Sequence, residues 1–148
     1  MWCCGRSTTF QSQGTFRFSP PLNKKGDITR RDGQTTQWWL ILECDREIGR
    51  YFRHLYELKH HHTKQLQEPL WGSHISIIRG EVPPNLADWK SLSGQTVTFE
   101  YGFEVEFHQQ FAVVSVQCNQ ALDYREALGL EREPSYPLHL TIGNVAKG

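Results

Sequence analysis

Two short stretches of the chain place a histidine and a hydroxyl side chain two residues apart. The first is His74-Ile75-Ser76-Ile77, and the second, sixty-five residues later (139 − 74), is His139-Leu140-Thr141-Ile142. Side chains alternate between the two faces of a β-strand. Each stretch therefore predicts a strand that buries its aliphatic residues on one face and presents an imidazole beside a hydroxyl on the other.

Two imidazoles and two hydroxyls that share one cleft predict phosphodiester cleavage. Histidine titrates near neutral pH, so one imidazole can act as a base while its protonated partner acts as an acid. The hydroxyls of Ser76 and Thr141 can donate to the non-bridging phosphate oxygens, where negative charge develops. A single histidine on a strand is most often structural, and it is the second copy that favours an active site. This chemistry requires neither a metal nor a cofactor, and none is predicted.

Each histidine strand closes a similar strand-helix-strand unit. In the first unit an apolar strand over 38–44 precedes Asp45, a helix N-cap, and the histidine strand follows at about 71–79. In the second unit the strand covers 111–118, and Asn119 is predicted to cap the helix. Units of this kind often pack about a pseudo-twofold axis, an arrangement that would bring both histidine strands to a common cleft.

The rest of the chain divides into an N-terminal segment and further strands. Residues 1–36 are rich in Gly, Ser, Thr, Pro and basic residues, so they predict an irregular extension or an edge hairpin. Residues 37–148 are predicted to form a single domain. Within it, residues 95–107 alternate apolar and polar side chains, which indicates half-buried strands with a turn at Gly102.

Composition limits the classes of partner. The 148 residues include 16 basic and 16 acidic side chains, so no field of one sign recruits nucleic acid or a membrane. No apolar run approaches the roughly 20 residues of a membrane-spanning helix. The N-terminus has no secretory signal pattern, and Trp2 in place of glycine excludes myristoylation. A cytoplasmic location is predicted, which for a viral protein is the cytoplasm of the host.

Four cysteines accompany this prediction. Cys44 and Cys118 each end a largely apolar run, and they are predicted to be reduced thiols that pack as small hydrophobic groups. Cys3 and Cys4 are adjacent near the N-terminus. Lipidation of this pair is one interpretation, and a spectator role is the favoured one.

Together the two motifs make residues 38–145 resemble the two-histidine (2H) phosphoesterase superfamily, which is defined by a pair of His-x-Thr/Ser-x motifs. The resemblance implies an α+β, bilobal fold in which two antiparallel sheets, related by a pseudo-twofold axis, surround a central groove with helices outside. It also implies metal-independent phosphodiesterase activity. In that activity His74 and His139 are the acid/base pair, and Ser76 and Thr141 hold the phosphate.

The resemblance also indicates a range of substrates. Members of the superfamily act on 2′,3′-cyclic phosphates at RNA ends, 2′,5′-linked oligonucleotides, ADP-ribose cyclic phosphates and the tails of spliceosomal RNA. Compact phage members hydrolyse cyclic oligonucleotides that signal bacterial antiviral defence. This chain is short, neutral and without a basic RNA-binding appendage, which favours a small nucleotide or short oligonucleotide. An RNA-end processing enzyme and a non-catalytic nucleotide- or RNA-binding module are the alternatives.

Four residues near the motifs are candidates for contact with substrate. Trp71 and Tyr136 each lie three residues before a motif histidine and could stack on a base, but their odd offset puts them off the histidine face of a regular strand and favours closing the ends of the sheets. Arg79 could pair with a phosphate oxygen, but its odd offset turns it away from His74 unless the strand twists or ends there. Arg125 is an alternative partner, and a solvated surface charge is the default interpretation for both arginines.

Two further clusters favour surface roles. Three consecutive histidines, His60-His61-His62, cannot all point at one ion, so a solvated helix end is preferred over a metal site. Lys24-Lys25 and Arg30-Arg31 are interpreted as solvated basic pairs, with a lip over the phosphate groove as the alternative.

Overall fold

The computed structural model describes residues 9–145, which form strands, two α-helices and one short 3-10 helix. The strands are β1 (Thr9–Phe18), β2 (Trp39–Cys44), β3 (Leu66–Gln67), β4 (His74–Arg79), β5 (Thr96–Gly102), β6 (Glu106–His108), β7 (Phe111–Gln117) and β8 (His139–Val145). The helices are α1 (Arg46–Lys59), the 3-10 helix (Leu86–Asp88) and α2 (Asn119–Ala127).

Six of the strands close into an antiparallel barrel. They pair in the order β8-β4-β2-β1-β5-β7, and β7 pairs in turn with β8. The two-residue β3 adds to β8, and β6 forms a hairpin with β7. The chain is therefore an α+β protein, as the sequence predicts.

One face of the strands is apolar and packs against both helices. It includes Leu42 and Ile75, which pair across β2 and β4, and Val114 and Leu140, which pair across β7 and β8. Side chains from both helices and from Leu128, the C-cap of α2, join these residues in one core; the helical ones are Ile48, Phe52, Ala121, Leu122 and Tyr124. Burying one such aliphatic or aromatic side chain stabilises the fold by about 1.5–3 kcal/mol. This burial fixes which strand face is left for the motif histidines.

The predicted ends of α1 are confirmed. The Asp45 carboxylate accepts a hydrogen bond from the Glu47 backbone N–H at 2.9 Å. This cap satisfies a backbone N–H of the first turn that has no hydrogen-bond acceptor within the helix. The helix ends at Lys59, and His61 and His62 then adopt left-handed backbone conformations (φ 53° and 62°). The second helix differs from the prediction, because Cys118 occupies its N-cap without a capping side-chain bond and Asn119 is already helical.

The N-terminal segment also differs from the prediction. Residues 9–18 form a regular strand that pairs with β2 on one side and β5 on the other, so they are not an edge hairpin or irregular extension. Phe16 and Phe18 of this strand are buried in the core, and this apolar anchoring explains why the segment is ordered despite its polar composition.

The prediction for Cys3 and Cys4 falls outside the described residues. Cys44 and Cys118 are buried free thiols, as predicted.

The two strand-helix-strand units repeat one pairing register. In the first unit Ser76 lies opposite Ile41 and His74 opposite Glu43. In the second, Thr141 lies opposite Val113 and His139 opposite Ser115. Each histidine strand also contains one unpaired extra residue, a β-bulge, at the same distance after its histidine. The bulged residues are Ile77 (77 − 74 = 3) and Ile142 (142 − 139 = 3).

Candidate functional site

The two motif strands are direct neighbours. Strand β4 pairs antiparallel with β8, so that His74 faces Thr141 and Ile75 faces Leu140. Continuing the same register places Ser76 across from His139. Residues directly opposite in an antiparallel pair share one face, with Cβ atoms about 4.5–5.5 Å apart. The structure therefore brings together the four residues that the sequence predicts as the centre of the site.

Both imidazoles are held in the same way. The Nδ1 atom of His74 lies 2.9 Å from the Gly72 carbonyl oxygen, and the Nδ1 atom of His139 lies 2.9 Å from the Pro137 carbonyl oxygen. A carbonyl oxygen can only accept, so each Nδ1 carries the hydrogen. Each Nε2 is then left as the atom that takes up or releases a proton. Two rings with this fixed tautomer are suited to paired acid and base roles.

Burial lowers the pKa of both imidazoles. His74 is only 8% exposed, and its pKa is lowered first by burial and then by the positive charges of His139 and Arg79, against the raising effect of the Gly72 hydrogen bond. His139 is half-buried, and burial is again the main cause of its lowered pKa; Pro137 raises it, while His108 and Arg79 lower it further. Both rings are thus biased towards the neutral form, and a bound anion would favour protonation of one of them.

The bulge at Ile77 brings Arg79 to the histidine face. In a regular strand the odd offset between residues 74 and 79 would point Arg79 to the opposite face. The extra residue reverses the alternation, so Arg79 pairs with Trp39, which lies on the same face of β2 as Ile41, the partner of Ser76. Its guanidinium lies 5.4 Å from the centre of the Trp39 ring. Arg79 thus joins the face that carries both imidazoles.

Arg125, the alternative phosphate partner, lies elsewhere. Its side chain is 1% exposed, so the default interpretation as a solvated charge is also wrong. The guanidinium donates to both Glu81 carboxylate oxygens at 2.8 and 2.9 Å and to the Ile77 and Glu131 carbonyl oxygens at 2.9 Å. Arg125 therefore binds the carbonyl of the bulged residue from the apolar side of the sheet, where it has a structural role.

The two aromatic candidates occupy different environments. The Trp71 ring packs edge-on against the His74 ring at 5.5 Å, and its Nε1 donates to the Pro21 carbonyl oxygen at 2.8 Å. Tyr136 is 62% exposed in the loop that precedes β8. Trp71 therefore holds the neighbouring imidazole, whereas the Tyr136 ring is free in this structure to meet a ligand.

Two residues at the site escaped the sequence analysis. Trp39 lies under the Arg79 guanidinium, and His108 of β6 packs edge-on against His139 with ring centres 5.4 Å apart. Trp39 belongs to the predicted strand over 38–44, whereas His108 lies just beyond the predicted strand segment 95–107. Their approach to the motif residues depends on strand pairing between distant parts of the chain, for which neither segment carries a local signal.

The remaining polar clusters are peripheral. His60-His61-His62 follows the end of α1, with His62 Nδ1 3.2 Å from a Glu57 carboxylate oxygen. The described residues hold no group of three or more side chains that could ligate a metal. Lys24 lines a cavity of about 430 Å³ next to Trp71 and Gly72, but none of the four motif residues lines it. Arg30 and Arg31 are exposed.

Neither helix in residues 9–145 is long and apolar enough to cross a membrane.

Stability should fall as the pH drops from about 7.5 to 5.5. In the unfolded chain histidine titrates near pH 6.5, whereas burial lowers the pKa of His74 and His139 in the folded chain. The unfolded state therefore binds more protons in this window, and the free energy of unfolding decreases as the pH falls. Melting temperatures measured across the window should show this slope, and a double His74→Gln, His139→Gln variant should flatten it.

Carboxyl groups provide the internal control for this experiment. The pKa of Glu68 and of Glu81 is lowered by hydrogen bonds from arginine, so their contributions are lost only below the ordinary glutamate range near pH 4.5. A slope between pH 7.5 and 5.5 that is as steep in the double variant as in the natural chain would contradict the assignment to the two histidines.

Comparison with known proteins adds no further assignment, since no family model, curated protein or solved structure matches the chain.

Proposed function

We propose that the chain is a metal-independent phosphodiesterase of the 2H type that acts on a small nucleotide. The observation that carries the proposal is the direct pairing of β4 with β8, which puts His74 opposite Thr141 and leaves both Nε2 atoms as the reactive ring positions. The repeated register and the two equivalent bulges support the bilobal, pseudo-twofold arrangement that the superfamily resemblance implies.

The proposed reaction needs two proton transfers, and the two histidines supply both. One neutral imidazole removes a proton at Nε2 from the attacking water or ribose hydroxyl as its oxygen bonds to phosphorus. The other, protonated, gives its Nε2 proton to the oxygen that leaves as the second P–O bond breaks. After the reaction the base is protonated and the acid is neutral, and proton exchange with solvent restores the starting protonation of both rings.

Charge that builds on the phosphate oxygens needs its own partners. The hydroxyls of Ser76 and Thr141 stand on the same face as the imidazoles and can donate to those oxygens. Arg79 adds a positive charge on that face, as its lowering of the pKa of both histidines indicates. This set of donors supports binding of a phosphodiester and stabilisation of its transition state.

The favoured substrates are cyclic oligonucleotides and 2′,3′-cyclic phosphates, molecules found inside cells, which agrees with the predicted cytoplasmic location. The exposed Tyr136 ring supports a contact with a base, and the balance of 16 basic and 16 acidic side chains favours a small substrate over long RNA. RNA-end processing would use the same atoms on a longer molecule.

A substrate panel tests the proposal. The natural chain and a His139→Asn variant are each incubated with EDTA and cyclic dinucleotides, 2′,3′-cyclic mononucleotides or 2′,5′-oligoadenylate, and products are separated by chromatography. We expect a new product with the natural chain only. Binding of any member without a product would instead favour a non-catalytic nucleotide-binding module, the second candidate function.

Replacing Trp71 or Tyr136 by alanine should affect different kinetic constants, because Trp71 contacts His74 whereas Tyr136 is exposed. Trp71→Ala is expected to lower kcat about 2- to 10-fold through loss of the edge-on contact with His74, as well as to raise KM. Tyr136→Ala should raise KM about 5-fold or more through loss of base stacking, with kcat nearly unchanged. Steady-state kinetics measure both, with Trp38→Ala as the control because Trp38 packs on Trp89. An unchanged KM in both variants would rule out base stacking.

A further inference from the structure

The two motif histidines each have one aromatic neighbour in edge-on contact. For His74 that neighbour is Trp71, with ring centres 5.5 Å apart and an interplanar angle of 82°. For His139 it is His108, with ring centres 5.4 Å apart and an angle of 74°. The contacts are alike in geometry, although the neighbours come from unrelated positions in the sequence: Trp71 precedes β4, whereas His108 lies on β6.

We propose that His108 is a positioning residue that fixes the ring of His139, as Trp71 fixes the ring of His74. The contact matters more for His139, because that ring is the more exposed of the two while its Nδ1 hydrogen bond to the Pro137 carbonyl oxygen is no shorter than that of His74 to Gly72. One hydrogen bond leaves the ring plane free to swing about the Nδ1–O line, and a T-shaped contact with a second ring restricts that swing.

The strand that carries His108 is built to reach the site. Strand β6 pairs with β7 so that His108 faces Phe111 and Glu106 faces Val113, the residue that also faces Thr141. His108 and Glu106 therefore share the face of the sheet that carries the motif side chains. The Glu106 carboxylate lies 3.8 Å from His108 Nε2, close enough to help hold its orientation.

The two contacts differ in one respect, because an imidazole can carry a positive charge and an indole cannot. The charged or titratable groups that face His139 are Arg79 and His74 from β4 and His108 from β6, with Glu106 behind His108. A positive charge on His108 opposes protonation of His139 and so contributes to the lowered pKa of His139. His108 thus acts on His139 through both geometry and charge.

Two substitutions separate these effects. His108→Phe keeps an aromatic edge beside His139 without a charge, whereas His108→Ala removes both. We expect kcat to fall about 3- to 10-fold in His108→Ala, with KM changed less than about twofold, and to recover in His108→Phe. The pKa of His139, followed by NMR titration of the ring without substrate, should rise in both variants. Phe107→Ala on the same strand controls for disturbance of β6 and should leave the His139 titration unchanged.

Failure of this proposal can be told apart from failure of the proposed function. Only the kcat measurement requires that the chain be a phosphodiesterase, whereas the titration of His139 does not. An unchanged His139 titration in His108→Ala overturns it, and so does a kcat in His108→Phe as low as in His108→Ala. If the natural chain turns over none of the panel, the phosphodiesterase proposal fails, while the titration still decides whether His108 acts on His139.

Discussion

Replacing either motif histidine should abolish turnover while the fold survives. His74→Asn and His139→Asn are the sharpest variants, because the asparagine amide can still donate to the carbonyl oxygen that each Nδ1 contacts but has no atom at the Nε2 position. Loss of one general acid or base is expected to lower kcat about 10²- to 10⁴-fold. The measurement is steady-state turnover of whichever substrate the panel identifies, with thermal unfolding to verify the fold.

The control for this pair is His54→Asn, since His54 is exposed on α1. It should keep the activity of the natural chain. The pH–rate profile of the natural chain should be bell-shaped between about pH 5 and 8, and because burial lowers the pKa of both histidines, its maximum should lie towards the acidic side. Full activity in either motif variant would remove the acid/base assignment.

Breaking the pair between Arg125 and Glu81 should give the largest loss of stability. Removing Glu81 leaves the guanidinium, which is 1% exposed, without its carboxylate partner, and breaking buried pairs of this kind costs about 3–5 kcal/mol. Because Glu81 itself is partly exposed, we expect about 3 kcal/mol for Glu81→Gln. Urea denaturation measures the loss, and the midpoint should move with little change in slope.

A second charge pair provides a matched comparison. Arg132 contacts Asp123 and Glu126 at the surface of the same helix, and Arg132→Gln should change stability far less than Glu81→Gln does. A double Arg125→Met, Glu81→Gln variant should recover part of the loss, because it buries no unpaired charge. If Glu81→Gln and Arg132→Gln unfold at the same urea concentration, Arg125 is not the structural anchor that its contacts suggest.

Local periodicity was sufficient to predict the elements that carry the site. The alternation around His74 and His139 depends only on the two-residue repeat of a strand, and the cap at Asp45 depends only on its own helix, so both were accessible from the sequence. The repeat of strand, helix and strand in the sequence also indicated that the two histidine strands share a cleft. The structure places these strands side by side.

The features that the sequence did not reveal are those set by distant partners. The polar composition of residues 9–18 suggests an irregular segment, yet pairing with β2 and β5 on both sides makes a regular strand of it. The direction of Arg79 depends on the bulge at Ile77, which is defined by the register against β2 and has no local signal. His108 meets His139 because β6 pairs with β7, which pairs in turn with the distant strand β8.

The bulges also define which intervals in this chain are fixed in length. Arg79 follows His74 by five residues (79 − 74), and Asn144 follows His139 by five (144 − 139), and each reaches the histidine face only because one residue is skipped in the pairing. If either strand lost its bulge but kept its length, the motif letters would be intact and Arg79 or Asn144 would turn to the opposite face. A pattern for finding related chains should therefore accept a five-residue interval in a bulged strand or a four-residue interval in a regular one, and leave the loops between strands free to vary.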